Sequence, residues 1–339
     1  MQRIAILMSH ASRAMGGAVR DVHLAAGFRA RGVDARLFRI HPGTETERDE
    51  MLGVPLVFCP SDNPGEIPHR QVSAALRAEV GAFAPDAVLC KGLGYRVNAD
   101  LLASLPDRTR IGLVVGGGVE DPLLPRAALV LGEYQEQLRR CFLPQLRAGR
   151  ALVLPKCIDL SLAGDGVPPE TPEFDIANVG TFAEARKNQG ALLPLTARHR
   201  IAFVGGGPLM AEARRTAARR ANAQFFGRLP HPGVFGVLRR SAMMVHTATM
   251  DGLPRAVVEA MACGLPVIAF RSTIDGGIPA SAGFLVAEAA MPHAVELLLA
   301  DPDLRHRMGR AARRHVETHH GPAAVDKAAD AALRVLRDA

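Results

Sequence analysis

The chain contains no tryptophan and only two tyrosines, and aromatic residues make up 4% of it. Its arginines are spread along the sequence with few aromatics beside them. That argues against nucleic acid as a partner, because stacking platforms are missing. Five cysteines (59, 90, 141, 157 and 263) include no CxxC pair and sit mostly among apolar neighbours. Buried thiols in a reducing cytoplasm are the simplest account. No run of eighteen apolar residues exists, so no segment reads as a spanning helix. The opening "MQRIAILMSH" is too short in its apolar part for a secretory signal. Also missing are a GxGxxG fingerprint, an acid after the second strand in the dinucleotide manner, internal repeats and low-complexity tracts.

What is present is ordinary globular material, with 339 residues, 48% hydrophobic and 22% charged. That length exceeds one core, so two domains are expected. Net charge is +7 and the isoelectric point about 9.6. Two readings of that charge stand. One is a set of solvated arginine faces in a GC-biased proteome. The other is attraction to an anion such as a nucleotide diphosphate, a lipid phosphate or an anionic membrane face.

The pattern along the chain alternates strand and helix. "RIAILMSH" (3–10) is a short apolar run with the flanks of a buried parallel strand. A glycine loop follows, then a helical period through "AVRDVHLAAGFRARG", then the strand "VDARLFRI". "PLVFCP", "DAVLCKG", "RIGLVVGGG", "AALVLGE" and "ALVLPKCID" continue the rhythm as strands, with "HRQVSAALRAEVGAFAP" as a helix. After the proline- and glycine-rich stretch 164–174, "DIANVGTF", "RIAFVGGG", "AQFFGRL", "AMMVHTA", "GLPVIAF" and "AGFLVA" repeat it. The expected fold is α/β, with two Rossmann-like, doubly wound parallel-sheet domains facing a central cleft. The expected division is 1–164, 165–320 and a final helix, 321–339, that is free to pack back on the first domain.

Ligands in open α/β sheets bind beyond the carboxyl ends of strands, where helix N-termini point. Four segments fit that placement. "MGGAV" (15–19) puts Gly16 and Gly17 ahead of a helix, where the backbone can approach an anion closely. A tight turn with no ligand explains the same glycines. "VGTFAEARKNQ" (179–189) delivers Arg186 and Lys187 beside a helix start, which suits a diphosphate, although a solvated basic loop reads the same. "FVGGGPLMAEA" (203–213) sets glycines ahead of Pro208, as a plain turn or as a site floor. "DGLPRAVVEAMACGLPVIAF" (251–270) starts a helix near Pro254 and places Glu259 eight positions after Asp251. A glutamate on so apolar a helix is costly unless a polar partner meets it, and a ribose diol is such a partner.

Taken in order, "VGTFAEARKN", "FVGGGPL", "FFGRLPHPGVFGVLRRS" and "DGLPRAVVEAMACGLPVIA" resemble a retaining glycosyltransferase of family 4, a group 1 glycosyltransferase with the two-domain GT-B fold. The likeness is strongest from about 176 to 290, and the acid-x7-acid segment is its most specific part. The resemblance implies a nucleotide-sugar donor in the carboxyl-terminal domain, and a glycan, lipid-linked or small-molecule acceptor held mainly by the amino-terminal domain. It also implies retention of anomeric configuration, no metal and no further cofactor. The product would be a glycan, glycolipid or natural product, polysaccharide included. The expected setting is cytoplasmic, with peripheral contact at the inner membrane face left open. By motif position, Asp251, Lys187 and Arg186 are the catalytic candidates. Gly16, Gly17, Gly180, Thr181, Gly205, Gly206, Arg228, Leu229, Gly252, Leu253, Pro254 and Glu259 line the donor, with Glu259 on its ribose.

The sequence departs from the family pattern at three places. The first acid is Asp251 rather than glutamate, so it reaches less far. Thr181 stands where an arginine follows "VG". Gly116, Gly117 and Gly118 stand where many members place a histidine. Glu120, His10 and His246 are the candidates for that sugar or acceptor contact, beside Gly117. An alternative expectation is a binding or scaffold protein on the same fold with weakened turnover.

Overall fold

Apolar strands alternate with helices because each strand must bury both faces, and only flanking helices can cover them. In the computed structural model this produces two units, Met1–Cys157 with Pro322–Ala339, and Ile158–Gly321. The structure describes residues 1–8, 19–92, 94–116, 121–218, 222–271 and 276–339. The division falls at Cys157, ahead of the proline-rich stretch 164–174.

The first unit begins with β1 (Arg3–Met8), α1 (Val19–Arg29), β2 (Asp34–His41), β3 (Glu47–Met51) and β4 (Val54–Pro60). It continues with α2 (Ala74–Phe83), β5 (Ala87–Lys91), α3 (Arg96–Leu102), β6 (Arg110–Val114), β7 (Leu129–Gly132), α4 (Gln135–Cys141), α5 (Leu143–Arg147) and β8 (Ala151–Val153). Its described strands form one sheet in the order β3-β4-β2-β1-β5-β6-β7-β8. Strand side chains alternate between faces. Ile4, Ile6 and Met8 join one core layer, while Ala5 and Leu7 join the other. At the edge of this otherwise parallel sheet, β3 runs antiparallel to β4. "ERDEM" is too charged to read as a strand, and it is tolerated because an edge strand pairs on one side only.

The second unit holds β9 (Phe174–Val179), β10 (Ile201–Val204), α6 (Met210–Ala217), β11 (Ala223–Gly227), α7 (His231–Leu238) and β12 (Ser241–His246). Then come α8 (Arg255–Ala262), β13 (Val267–Phe270), β14 (Gly283–Val286), α9 (Met291–Ala300) and α10 (Pro302–His319). Its sheet has the order β11-β10-β9-β12-β13-β14, with every described pairing parallel. Residues Gln189–Ala197 form a 3₁₀ helix, because Pro194 within it removes an α-type hydrogen bond.

The last helix, α11 (Pro322–Asp338), belongs to the first unit. It buries Val325, Ala329, Ala332, Leu333 and Leu336 in the layer that also holds Val22, Ala25 and Phe28 of α1. Arg31 ties it down through Asp326 (2.7 Å) and Asp330 (3.1 Å). Cys59, Cys90, Cys157 and Cys263 are buried and Cys141 is exposed. Burial pushes the thiols of Cys59, Cys90 and Cys263 up to about 12. No described helix is long and apolar enough to cross a membrane.

Candidate functional site

In the second unit the loops after β9, β10 and β12 leave the same carboxyl edge of the sheet. The β9 and β10 loops touch as closely as backbone allows. Phe182 N–H donates to Gly206 O (3.0 Å), and Leu209 N–H donates to Phe182 O (3.0 Å). A Cβ at Gly205 would stand 1.8 Å from Gly180 O, and one at Gly207 would stand 2.3 Å from Phe182 C. Both glycines also hold φ near +139° and +152°, so only glycine fits. Thr181 stitches the loops together. Its hydroxyl donates to Gly206 O (3.1 Å) and accepts from Ala183 N–H (3.2 Å). Thr181 thus has a structural task at the position where the family resemblance leads one to expect a cation.

The β9 and β12 loops carry the charged centre. Lys187 Nζ donates to Asp251 Oδ2 at 2.5 Å, and Arg186 Nη1 donates to Asp251 Oδ1 (3.2 Å) and to Met250 O (2.7 Å). Arg186 Nε also donates to Glu184 Oε2 (2.6 Å). His246 Nε2, at the end of β12, lies 3.2 Å from Asp251 Oδ2. Backbone links fix these loops, since Thr249 N–H donates to Arg186 O (2.9 Å) and the Thr247 hydroxyl donates to Lys187 O (2.7 Å). Burial pushes the Asp251 carboxyl up, but hydrogen bonds from His246 and Lys187, with their charges, outweigh it. The net result holds the carboxyl well below the usual carboxylate range. The acid and both cations singled out in the sequence are therefore one network, with His246 as its fourth member.

Glu259 lies on α8, where residues 257–262 are all buried. Pro254 is the extended residue immediately before that helix, and Leu253 is buried beneath the loop. Glu259 is 4% exposed. The chain supplies polar partners that sequence reasoning missed. His231 Nε2 lies 2.7 Å from Glu259 Oε1, and Arg255 Nε donates to the same oxygen at 3.0 Å. The burial cost of the glutamate is offset by these two, whose described contacts both fall on Oε1. The Arg255 contact has an i, i+4 signal readable in sequence. The His231 contact crosses between α7 and α8 and has none. Arg228 is exposed, its Cβ 3.6 Å from where a Cβ on Gly206 would lie. Leu229 packs instead against the small core layer of Phe174, Ala202, Val204 and Val237. Gly252 lies half-buried on the loop between Asp251 and α8.

The carboxyl edge of the first sheet holds a second charged cluster, also unanticipated. Asp21 in the first turn of α1 is fully buried. It accepts from Lys91 Nζ at the end of β5 (2.6 Å), with Arg20 Nε 3.7 Å away. Glu133, directly after β7, accepts from Lys156 and lies 3.9 Å from Arg20 Nη1. Burial pushes the Asp21 carboxyl up, and the charges of Lys91 and Arg20 more than reverse it, leaving it lowered. Burial also pulls the Lys156 ammonium below the usual lysine range, against the opposing charge of Glu133. Asp121 is spent on structure, accepting from the N–H groups of Gly94 (2.7 Å) and Leu123 (2.8 Å). His10, Gly16, Gly17, Gly117 and Glu120 lie outside the described residues.

Residues 182–315 match the family model of the glycosyl transferases group 1. A GDP-mannose-dependent monoacylated alpha-(1-6)-phosphatidylinositol monomannoside mannosyltransferase of Corynebacterium glutamicum is 33% identical over 132 residues. That match spans 34% of this chain, and the chain spans about a third (34%) of the length of this curated relative. Among solved structures, sucrose-phosphate synthase from Thermosynechococcus elongatus superposes over 100% of both chains, with a TM-score of 0.75 and 18% identity. The Anabaena HepE protein in complex with UDP and glucose gives a TM-score of 0.73 at 15% identity, over 98% of this chain and all of that one. These likenesses establish the GT-B fold.

Proposed function

Since residues 182–315 match the family model of the glycosyl transferases group 1, we propose that the chain is a glycosyltransferase. It moves a sugar from a nucleoside diphosphate sugar to a glycan, lipid-linked or small-molecule acceptor, with retention and without a metal. The observation that carries this is the carboxyl edge of the second sheet. There Lys187 and Arg186 meet Asp251, and the described contacts of the buried Glu259 to His231 and Arg255 both use the same carboxylate oxygen. In this reading Glu259 accepts hydrogen bonds from the ribose diol. Lys187 and Arg186 stabilise the charge that develops on the departing diphosphate. Asp251 then exchanges part of its pairing with the cations for a donor sugar hydroxyl, and His246 keeps it oriented. The acceptor falls to the first unit, whose Asp21, Lys91, Glu133 and Lys156 cluster offers charged groups to polar or anionic chemistry. The relative's GDP-mannose and the neighbour's bound UDP support a nucleoside diphosphate donor in general, with the base open.

The test is a panel of UDP- and GDP-sugars, read by nucleoside diphosphate release and by thermal stabilisation. The expected result is release with at least one donor, loss of nucleotide binding in Glu259→Ala, and a kcat lowered by about 10²–10³ in Lys187→Ala. Stabilisation by a nucleotide sugar without release, across acceptors, would instead favour the binding protein on the same fold.

A further inference from the structure

The amino ends of the first unit's strands, opposite the edge discussed above, enclose a cavity of about 920 Å³. Five arginines line it: Arg3, Arg108, Arg110, Arg126 and Arg150. They come from successive places in the sheet. Arg3 opens β1, Arg108 precedes and Arg110 opens β6, Arg126 stands just ahead of β7, and Arg150 abuts β8. Because β1, β5, β6, β7 and β8 are neighbours in the sheet, parallel pairing brings all five to one edge.

Some arginines elsewhere in the chain meet carboxylates directly. Arg29, Arg31, Arg36, Arg48, Arg200, Arg240 and Arg313 each lie 2.6–2.9 Å from a carboxylate. Among the described residues, none of the five cavity arginines is paired with an acidic side chain. Arg110 Nε donates to Ala339 O (3.2 Å), and Arg150 Nη1 donates to Ala127 O (2.9 Å). The Ala127 contact is to a peptide carbonyl, which orients the Arg150 guanidinium without neutralising it. The cavity contains two acidic side chains, Asp86 and Asp107. Asp86 is already engaged, its Oδ2 accepting from the N–H groups of Gln2 (2.6 Å) and Arg3 (3.0 Å). Five guanidiniums outnumber the two acidic side chains, and an entering anion would offset the excess positive charge. The planar guanidinium fork matches phosphate oxygens two at a time, and the volume is within the ordinary range for ligand sites.

We propose that this cavity is a second anion site, separate from the donor site, that binds a phosphate-bearing ligand through Arg108, Arg126 and the arginines at the starts of β1, β6 and β8. The phosphate can belong to a free phosphorylated metabolite or to the headgroup of an anionic lipid. The two sources share the recognition chemistry and differ in the test.

The experiment titrates inorganic pyrophosphate into the full chain by calorimetry and compares Arg108→Gln/Arg126→Gln with Lys187→Ala. Both substituted arginines are exposed and hold no described side-chain hydrogen bond, so the melting temperature should stay unchanged and report an intact fold. The unmodified chain should bind at two sites. The double variant should weaken one of them about a hundredfold, as expected for two lost charge-assisted contacts, and leave nucleotide-sugar turnover untouched. Lys187→Ala should affect only the other site, so failure of the donor reading and failure of this one are separate results. In a second arm, phosphatidylcholine vesicles with and without phosphatidylglycerol are co-sedimented with each protein. Arginine-dependent sedimentation on the anionic vesicles identifies the lipid source. Pyrophosphate binding without it identifies the free ligand. If the double variant binds both pyrophosphate and anionic vesicles as the unmodified chain does, the proposal is overturned.

Discussion

At the scale of single residues, the informative pair is Glu259 with His231. A carboxylate buried on an apolar helix is costly unless polar partners meet it, and both described partners meet the same oxygen. Removing His231 leaves Arg255 as the sole described partner and lets the carboxylate turn. Because His231 is itself 39% exposed, the loss is modest, about 1–2 kcal/mol by the usual worth of a hydrogen bond to a charged group. His231→Ala should therefore raise KM for the donor by roughly tenfold with little change in kcat, since 1.4 kcal/mol is a factor of ten. Steady-state kinetics with the donor varied checks it, and an unchanged KM would release His231 from this role. The acids and cations of this site were legible in the sequence because turn residues announce them. Asp251 and Glu259 flank a helix start, and Lys187 follows a strand and its loop. The His231 contact was not legible, because it joins side chains 28 positions apart on different helices. Nor was the Asp21, Lys91, Glu133 and Lys156 cluster, whose members come from four separate elements.

At the scale of elements, the β9 and β10 loops and helix α11 show what local pattern conveys and what it omits. Three consecutive glycines after β10 mark a turn, but their spacing does not say that two of them face backbone within van der Waals distance. Gly205→Ala should cost roughly 2–6 kcal/mol, combining backbone strain with overpacking. With about 2–4 °C lost per kcal/mol for units of this size, the melting temperature should fall by about 10 °C. Gly206→Ala meets only ordinary contact at 3.6 Å, so it should melt close to the unmodified chain. Equal melting of the two variants would contradict the close approach. For α11, Leu333→Asp places a charge in the layer shared with α1 and should destabilise the first unit by about 3 kcal/mol or more, seen as an earlier transition in calorimetry. The β3 strand stayed hidden because strand patterns are read from buried faces, and an acidic edge strand has none.

At the scale of the whole molecule, two units with separate cores allow acid to act unevenly. The second unit contains His315 on α10, its ring 4.7 Å from that of His319 and 5.4 Å from that of His320. Burial first, and the charge of His319 second, lower its pKa from 6.5 to about 4. The sign follows from proton counting. Between pH 4 and 6.5 the unfolded chain carries a proton at His315 that the folded chain refuses, so unfolding takes up protons. The stability contributed by the neutral ring is complete above about pH 6.5 and is lost as pH falls toward 4. Asp251 acts in a different range, because its lowered carboxyl withdraws stability only below the ordinary carboxylate pKa of about 3.9. A fall in the second unit's melting temperature between pH 7 and pH 4.5 therefore belongs to the histidine and not to the acid. His315→Gln, which cannot titrate, should flatten that slope while leaving the decline below pH 4 in place. Scanning calorimetry across this range measures both, and a slope that survives the substitution would assign the acid sensitivity to other groups.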